Sequence, residues 1–170
     1  DLARVRGLVS KPRGAMKVLE RAKAAIVKLN KDKIQYKVDT AKYMGHIITS
    51  AGQRADDAKI KAIIDMPPPA DKQGLQRLLG MTKFLAQYVP NEASLTAPLR
   101  QLLKKDAVWQ WRPHHDAALE TLKTTLTQAP VLRYYDHKKP LTLQADSSKD
   151  GLGACLLQDG QPLCYASRAL

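Results

Sequence analysis

Between Leu141 and Arg168 the chain has little freedom to be anything but antiparallel sheet. Leu141, Leu143 and Ala145 alternate with Thr142, Gln144 and Asp146, the period of two that gives a strand one apolar and one polar face. Two further strands are predicted at residues 153–158 and 162–168, joined by Asp159-Gly160, a strong signal for a two-residue hairpin turn. The expected product is a three-stranded meander. Pro162 has no N–H to donate, which places the last strand at a sheet edge. Regular pairing outward from the turn sets Cys155 opposite Cys164, read as two reduced thiols in a sheet.

The polar face of the first strand carries Asp146, where a divalent cation can reach it. A hard cation such as Mg²⁺ is held by one or two carboxylates with waters and substrate phosphates, and two-metal phosphodiester chemistry needs several carboxylates converging. Asp146 is one clear candidate for such a role. Asp150 falls in the turn that follows.

Upstream, residues 15–29 have helical spacing and end in Asn30-Lys31-Asp32-Lys33. Residues 34–38 alternate apolar and polar, and residues 43–49 are rich in β-formers, so the pair is expected to form a β-ribbon. Asp56 and Asp57 open a short helix over residues 58–65. Pro67-Pro68-Pro69 then forbids helix and favours a stiff, extended connector, an expected subdomain boundary. Asp71 can cap a helix running to Val89, and a second helix over residues 94–105, with Pro98 near its first turn, should pack on it. A connector with Trp109 and Trp111 leads to a helix over residues 116–128. The class is α+β.

Charge narrows the partner. The 170 residues carry 28 Lys and Arg against 16 Asp and Glu, a formal net charge of +12. Residues 1–62 hold fifteen of those cations against six acids, so an anionic partner, nucleic acid above all, is expected at the first third of the chain. A solvated helix face accounts equally for Arg13, Lys17, Arg21, Lys23 and Lys28. No run of 18 apolar residues and no signal-peptide pattern occur, which points to an intracellular protein with no membrane partner.

Two segments have both a structural and a functional reading. Gln76, Gly80 and Phe84 recur every four residues along one helix stripe, with Arg77 and Lys83 beside them. A mid-helix glycine costs about 1 kcal/mol relative to alanine, so something approaches that backbone closely. Either another helix or a nucleic-acid minor groove with its phosphates satisfies the requirement. Tyr43-Met44-Gly45-His46 likewise reads as a packed strand with a bulge or close approach at Gly45, or as a ribbon pressed against a sugar-phosphate chain with a hydrogen bond from His46. His114, His115 and His137 lack Cys or carboxylate partners at zinc-site spacing, and no nucleophile elbow, phosphate-binding loop or His-Glu-x-x-His helix is present.

Taken in order, the segments 29–33, 43–52, 75–91, 97–99, 109–111, 129–132, 143–148, 151–154 and 165–170 resemble the Pol polyprotein of gypsy-type LTR retrotransposons. The resemblance covers residues 15–170. It implies a palm-end helix and β-ribbon of a reverse transcriptase at 15–66, a thumb-like helical subdomain at 67–107, and at 108–170 a connection with the N-terminal part of an RNase H-like mixed sheet, its first three antiparallel strands. Residues 1–14 stay an unassigned leader. In that family Tyr43, Met44, Gly45 and His46 match a primer grip, and Gln76, Arg77, Gly80, Lys83 and Phe84 match a thumb helix that tracks the minor groove of a template-primer duplex. Asp146 matches the first carboxylate of an RNase H site that holds two Mg²⁺ ions, with Ser147 where the family usually has alanine. The implied partners are an RNA–DNA hybrid or template-primer duplex and the rest of the Pol polyprotein. The polymerase's Tyr-x-Asp-Asp motif does not occur in the chain and Asp146 is a lone match, so the isolated chain is expected to be inactive, either a piece of the parent polymerase and ribonuclease H or a non-catalytic binding remnant.

Overall fold

The computed structural model describes residues 12–170, and residues 1–11, most of the expected leader, lie outside the described residues. The described residues divide into two compact units, one ending at Ala41 and the other spanning Lys42–Leu170.

In the first unit, helix α1 spans Pro12–Ala24 and stops short of the predicted Leu29. Its end is a Schellman stop: Val27 N–H donates to the Ala22 carbonyl at 2.9 Å and Ile26 N–H to the Lys23 carbonyl at 3.1 Å, with Ile26 at φ 56. Arg21 and Lys23 sit in the last turn, at the negative end of the helix dipole. The strand predicted at residues 34–38 does not form. Lys37 turns out of the extended region at φ 52, and Ile34, Tyr36 and Val38 are all exposed, so their alternation has no buried face to reward it.

The second unit begins with short strands, β1 (Ala41–Tyr43), β2 (His46–Ile48) and β3 (Gln53–Ala55), in the order β1-β2-β3. The single strand predicted at residues 43–49 is therefore two strands. Met44 at φ 47 and Gly45 at φ 76 make a two-residue turn whose twist matches the strands it joins. The ribbon is built from these strands and not from residues 34–38.

Four helices supply the core: α2 (Asp57–Ile64), α3 (Lys72–Leu85), α4 (Glu92–Gln101) and α5 (Pro113–Thr127). Asp56 caps α2 by accepting the Ala58 N–H at 3.1 Å, and Asp71 caps α3 by accepting the Gly74 N–H at 2.6 Å. Helix α3 gives way to a 3₁₀ turn at Ala86–Tyr88 rather than running to Val89. Helix α4 starts before the predicted Ser94 because Ser167, from a distant strand, accepts the Ala93 N–H at 3.2 Å. Ile63, Leu75, Leu99 and Leu122, one from each helix, are at most 1% exposed and belong to one cluster, so the helices on both sides of the three prolines share a core.

The second sheet is the predicted meander, β4 (Thr142–Ser148), β5 (Gly151–Gln158) and β6 (Gln161–Ala169), with β6 at an edge. Asp159 at φ 51 and Gly160 at φ 71 form its hairpin turn. The cysteine register differs from expectation. Leu157 pairs with Pro162, a bulge follows, and Leu156 then faces Cys164 while Cys155 faces Tyr165. The cause lies at Pro162, which has no N–H for the ladder and gives its carbonyl to the Arg133 N–H at 2.8 Å instead. Both thiols are free.

The two faces of this sheet are also used differently from what the alternation implies. Asp146, Gly153 and Ser167 lie in one row across it, and the start of α4 packs on that row: a β-carbon on Gly153 would lie 2.0 Å from Asn91 Oδ1. The polar face thus meets α4, while Leu143 and Leu152 of the apolar face are exposed.

Candidate nucleic-acid interface

The turn between β1 and β2 and the outer side of α3 enclose a groove lined by Met44, Gly45, Lys59, Ile63, Arg77, Gly80, Met81 and Phe84. Helix α3 is built for this position. Leu75, Leu78, Thr82 and Leu85 bury one stripe, which leaves Gln76, Arg77, Gly80, Lys83 and Phe84 exposed on the other. Two segments far apart in sequence are brought together here.

Gly45 is required twice over. Its φ of 76 favours glycine, and a β-carbon there would lie 2.9 Å from Phe84 Cε1. Gly80 is different: a β-carbon there meets nothing within 4 Å. The close packing that its position in the helix allowed for is absent, and the backbone lies bare at the floor of the groove. Gln76 and Lys83 are exposed on the same helix but outside the groove lining, and Tyr43 is exposed at the foot of the turn.

His46 stands behind Phe84, its ring stacked on the phenyl ring with centroids 5.1 Å apart and planes within 13°. Its Nδ1 lies 2.9 Å from the Tyr88 hydroxyl, which accepts an N–H from Gln53 at 2.8 Å. Burial pushes the His46 pKa down from its ordinary value of 6.5, so the ring is mostly neutral at neutral pH. Lys59, Arg77 and Lys83 form no ion pair among the described residues, unlike Lys42, Arg54 and Lys61, which pair with Asp56, Asp57 and Asp65.

Asp146 is exposed on β4, where Oδ1 accepts the N–H of Ser147 at 2.8 Å, and it sits on the other sheet, apart from the groove.

Residues 111–170 match the family of RNase H-like domains found in reverse transcriptases. Over 141 residues, 83% of this chain, the sequence is 33% identical to the transposon Tf2-3 and Tf2-4 polyproteins of Schizosaccharomyces pombe. The chain is similar to the reverse transcriptase–RNase H segments of retrotransposon polyproteins. It spans 11% of the length of those two relatives. The fold of the chain matches part of the foamy viral protease-reverse transcriptase. The structure of that protein in complex with RNA/DNA hybrid matches 94% of this chain with 23% of its own, at a TM-score of 0.77 and 22% identity. Its complex with dsDNA matches 82% of this chain with 30% of its own, at 0.70 and 24%.

Reverse transcriptase–RNase H proteins generally use a divalent metal. The residues of this segment do not by themselves fit one: among the described residues no three His, Cys, Asp or Glu side chains come together, and Asp146 Oδ1 is engaged by its neighbour's N–H.

Sequence reasoning missed Lys59, Ile63 and Met81 in the groove, and Tyr88 and Gln53 behind it. Lys59 and Ile63 are four apart on α2 and share a face, the one signal in the sequence that ties that lysine to the groove. Nothing in the spacing of Tyr88 or Gln53 points to His46.

Proposed function

We propose that this segment binds a template-primer duplex, in particular an RNA–DNA hybrid, in the groove between the Met44-Gly45 turn and helix α3. It would do so as part of a longer retrotransposon polyprotein that copies RNA into DNA and cleaves the RNA strand. The observation that carries the reading is Gly80, a glycine in the middle of a helix with nothing of the protein's own within 4 Å of where its side chain would be. Such a glycine costs about 1 kcal/mol of helix stability, and no internal contact accounts for it. An external body that needs close access to the backbone does. A sugar edge in a minor groove is such a body, with Arg77 and Lys59 placed for the flanking phosphates and Phe84 for an apolar sugar or base edge. The structural relatives bound to dsDNA and to RNA/DNA hybrid support the same partner class.

In this reading Tyr43, Met44, Gly45 and His46 form a primer grip, and Gln76 and Lys83 extend the contact along α3. Asp146 stands at the first carboxylate position of the RNase H site, and Mg²⁺ is held there only with further carboxylates beside it. The chain contains no Tyr-x-Asp-Asp for nucleotide addition and Asp146 is its one match to the RNase H carboxylates, so duplex binding without synthesis or cleavage is the activity expected of it in isolation. Hydrogen exchange with and without an RNA–DNA hybrid tests the assignment. Protection is expected at residues 43–46 and 76–84, and protection confined to residues 142–169 would overturn it.

A further inference from the structure

We propose that Tyr88 and Gln53 are positioning residues that lock His46 in one tautomer, so that its Nε2–H is a fixed donor to a phosphate oxygen of the bound strand. The inference rests on the duplex reading above and adds the chemical state of one contact.

Hydrogen-bond capacity sets the direction of the chain from Gln53 to His46. Tyr88 is wholly buried, and its hydroxyl has one proton to give. Gln53 approaches that oxygen through Nε2, which can only donate, so the Tyr88 proton cannot go to Gln53. His46 Nδ1, at 2.9 Å, is the acceptor that remains among the described residues. A neutral imidazole that accepts at Nδ1 carries its proton on Nε2. The direction Gln53 to Tyr88 to His46 is thereby set from the buried end outward.

The outer end is open. Nε2 has no hydrogen-bond partner among the described residues, and no buried side-chain nitrogen or oxygen among them lacks a partner, so Nε2 must reach solvent. The stack on Phe84 fixes the ring plane, and Phe84 itself lines the groove. Phe84 lines it together with Lys59 and Arg77, whose charges draw in a phosphate without orienting it, and the fixed donor on the ring stacked behind Phe84 supplies the direction. Burial of the ring, which lowers its pKa, keeps the neutral donor form at neutral pH.

The test combines a spectrum of the free protein with hybrid binding. Long-range ¹H–¹⁵N correlation spectra of the histidine-labelled chain at neutral pH are expected to show His46 protonated at Nε2 and bare at Nδ1. Tyr88→Phe and Gln53→Leu should each mix the tautomers. Tyr88→Phe should weaken binding of an RNA–DNA hybrid by about fivefold, the scale of one oriented hydrogen bond. His46→Gln, whose amide N–H falls near the place of Nε2–H, should retain more affinity than His46→Ala. A proton on Nδ1 in the unsubstituted chain overturns the inference, as does a Tyr88→Phe variant with unchanged tautomer and affinity. If the unsubstituted chain ignores the hybrid, the duplex reading falls and the phosphate contact with it. A wrong tautomer in a chain that does bind overturns this inference alone.

Discussion

The imidazole of His46 and the ring of Phe84 are stacked, 5.1 Å between centroids and 13° between planes, which joins the tip of a short β-ribbon to the exposed side of a helix 38 positions later in the chain. An aromatic pair of this kind is worth about 1 kcal/mol beyond its buried area. Phe84→Ala should therefore loosen the ribbon from α3 and weaken hybrid binding about fivefold, while Phe84→Tyr keeps both. Fluorescence anisotropy with a labelled hybrid reads the affinity. The Phe84→Ala value should lie clearly above those of the unsubstituted and Phe84→Tyr chains.

Lys59 and Arg77 line the groove without ion-pair partners among the described residues. If each meets a phosphate, Lys59→Gln and Arg77→Gln should each reduce the slope of log affinity against log salt by about 1. Lys61, already paired with Asp65 at 2.6 Å, serves as the control, and Lys61→Gln should leave the slope nearly unchanged. A salt titration of hybrid binding measures all three.

Gly153 and Asn91 hold the second sheet against α4. A β-carbon on Gly153 falls 2.0 Å from Asn91 Oδ1, so Gly153→Ala should destabilise the protein by about 1–3 kcal/mol through overpacking. Asn91 has φ 51, where glycine is at home, and Asn91→Gly removes the carboxamide without disturbing the backbone. The double variant should recover most of the loss. Urea unfolding of the single and double variants measures the coupling.

Burial lowers the pKa of both His46 and His115 from 6.5. The unfolded chain then binds more protons than the folded one as pH falls below that value, so stability is full above about pH 6.5 and declines towards and through the lowered folded values. Asp56 is lowered as well, chiefly by the Ala58 N–H it accepts, but its contribution is lost only around and below the ordinary carboxylate value of 3.8. Thermal melts taken from about pH 7 to pH 5 should show the histidine slope, and His46→Gln should make it shallower.

The sequence showed most of this where local chemistry decides the outcome. Asp56 and Asp71 announce their helices, Asp159-Gly160 announces its hairpin, and the stripe of Gln76, Gly80 and Phe84 marks the side of α3 that stays open. The failures have a common physical form. Ile26 ends a helix in a conformation that isoleucine rarely adopts, Ser167 caps a helix 74 positions away, and Pro162 gives its carbonyl to Arg133 and so shifts Cys155 out of register with Cys164. Each depends on a partner that sequence proximity does not reveal. The same holds for the groove itself. Its two walls were legible as separate motifs, but Lys59 beneath them and the Gln53-Tyr88 pair behind them enter only through the fold.

The most direct measurement is the paired effect of Gly80→Leu on melting temperature and on hybrid affinity. Nothing lies within 4 Å of a β-carbon at Gly80, so replacing the glycine by a strong helix former such as leucine should raise helix stability by about 1 kcal/mol. If the bare backbone there is where the duplex seats, the same substitution should weaken hybrid binding about tenfold or more, an overpacked contact costing 1–3 kcal/mol. A variant that melts higher and binds worse is the expected result. One that melts higher and binds the hybrid as tightly as the unsubstituted chain would contradict the placement of the duplex in this groove.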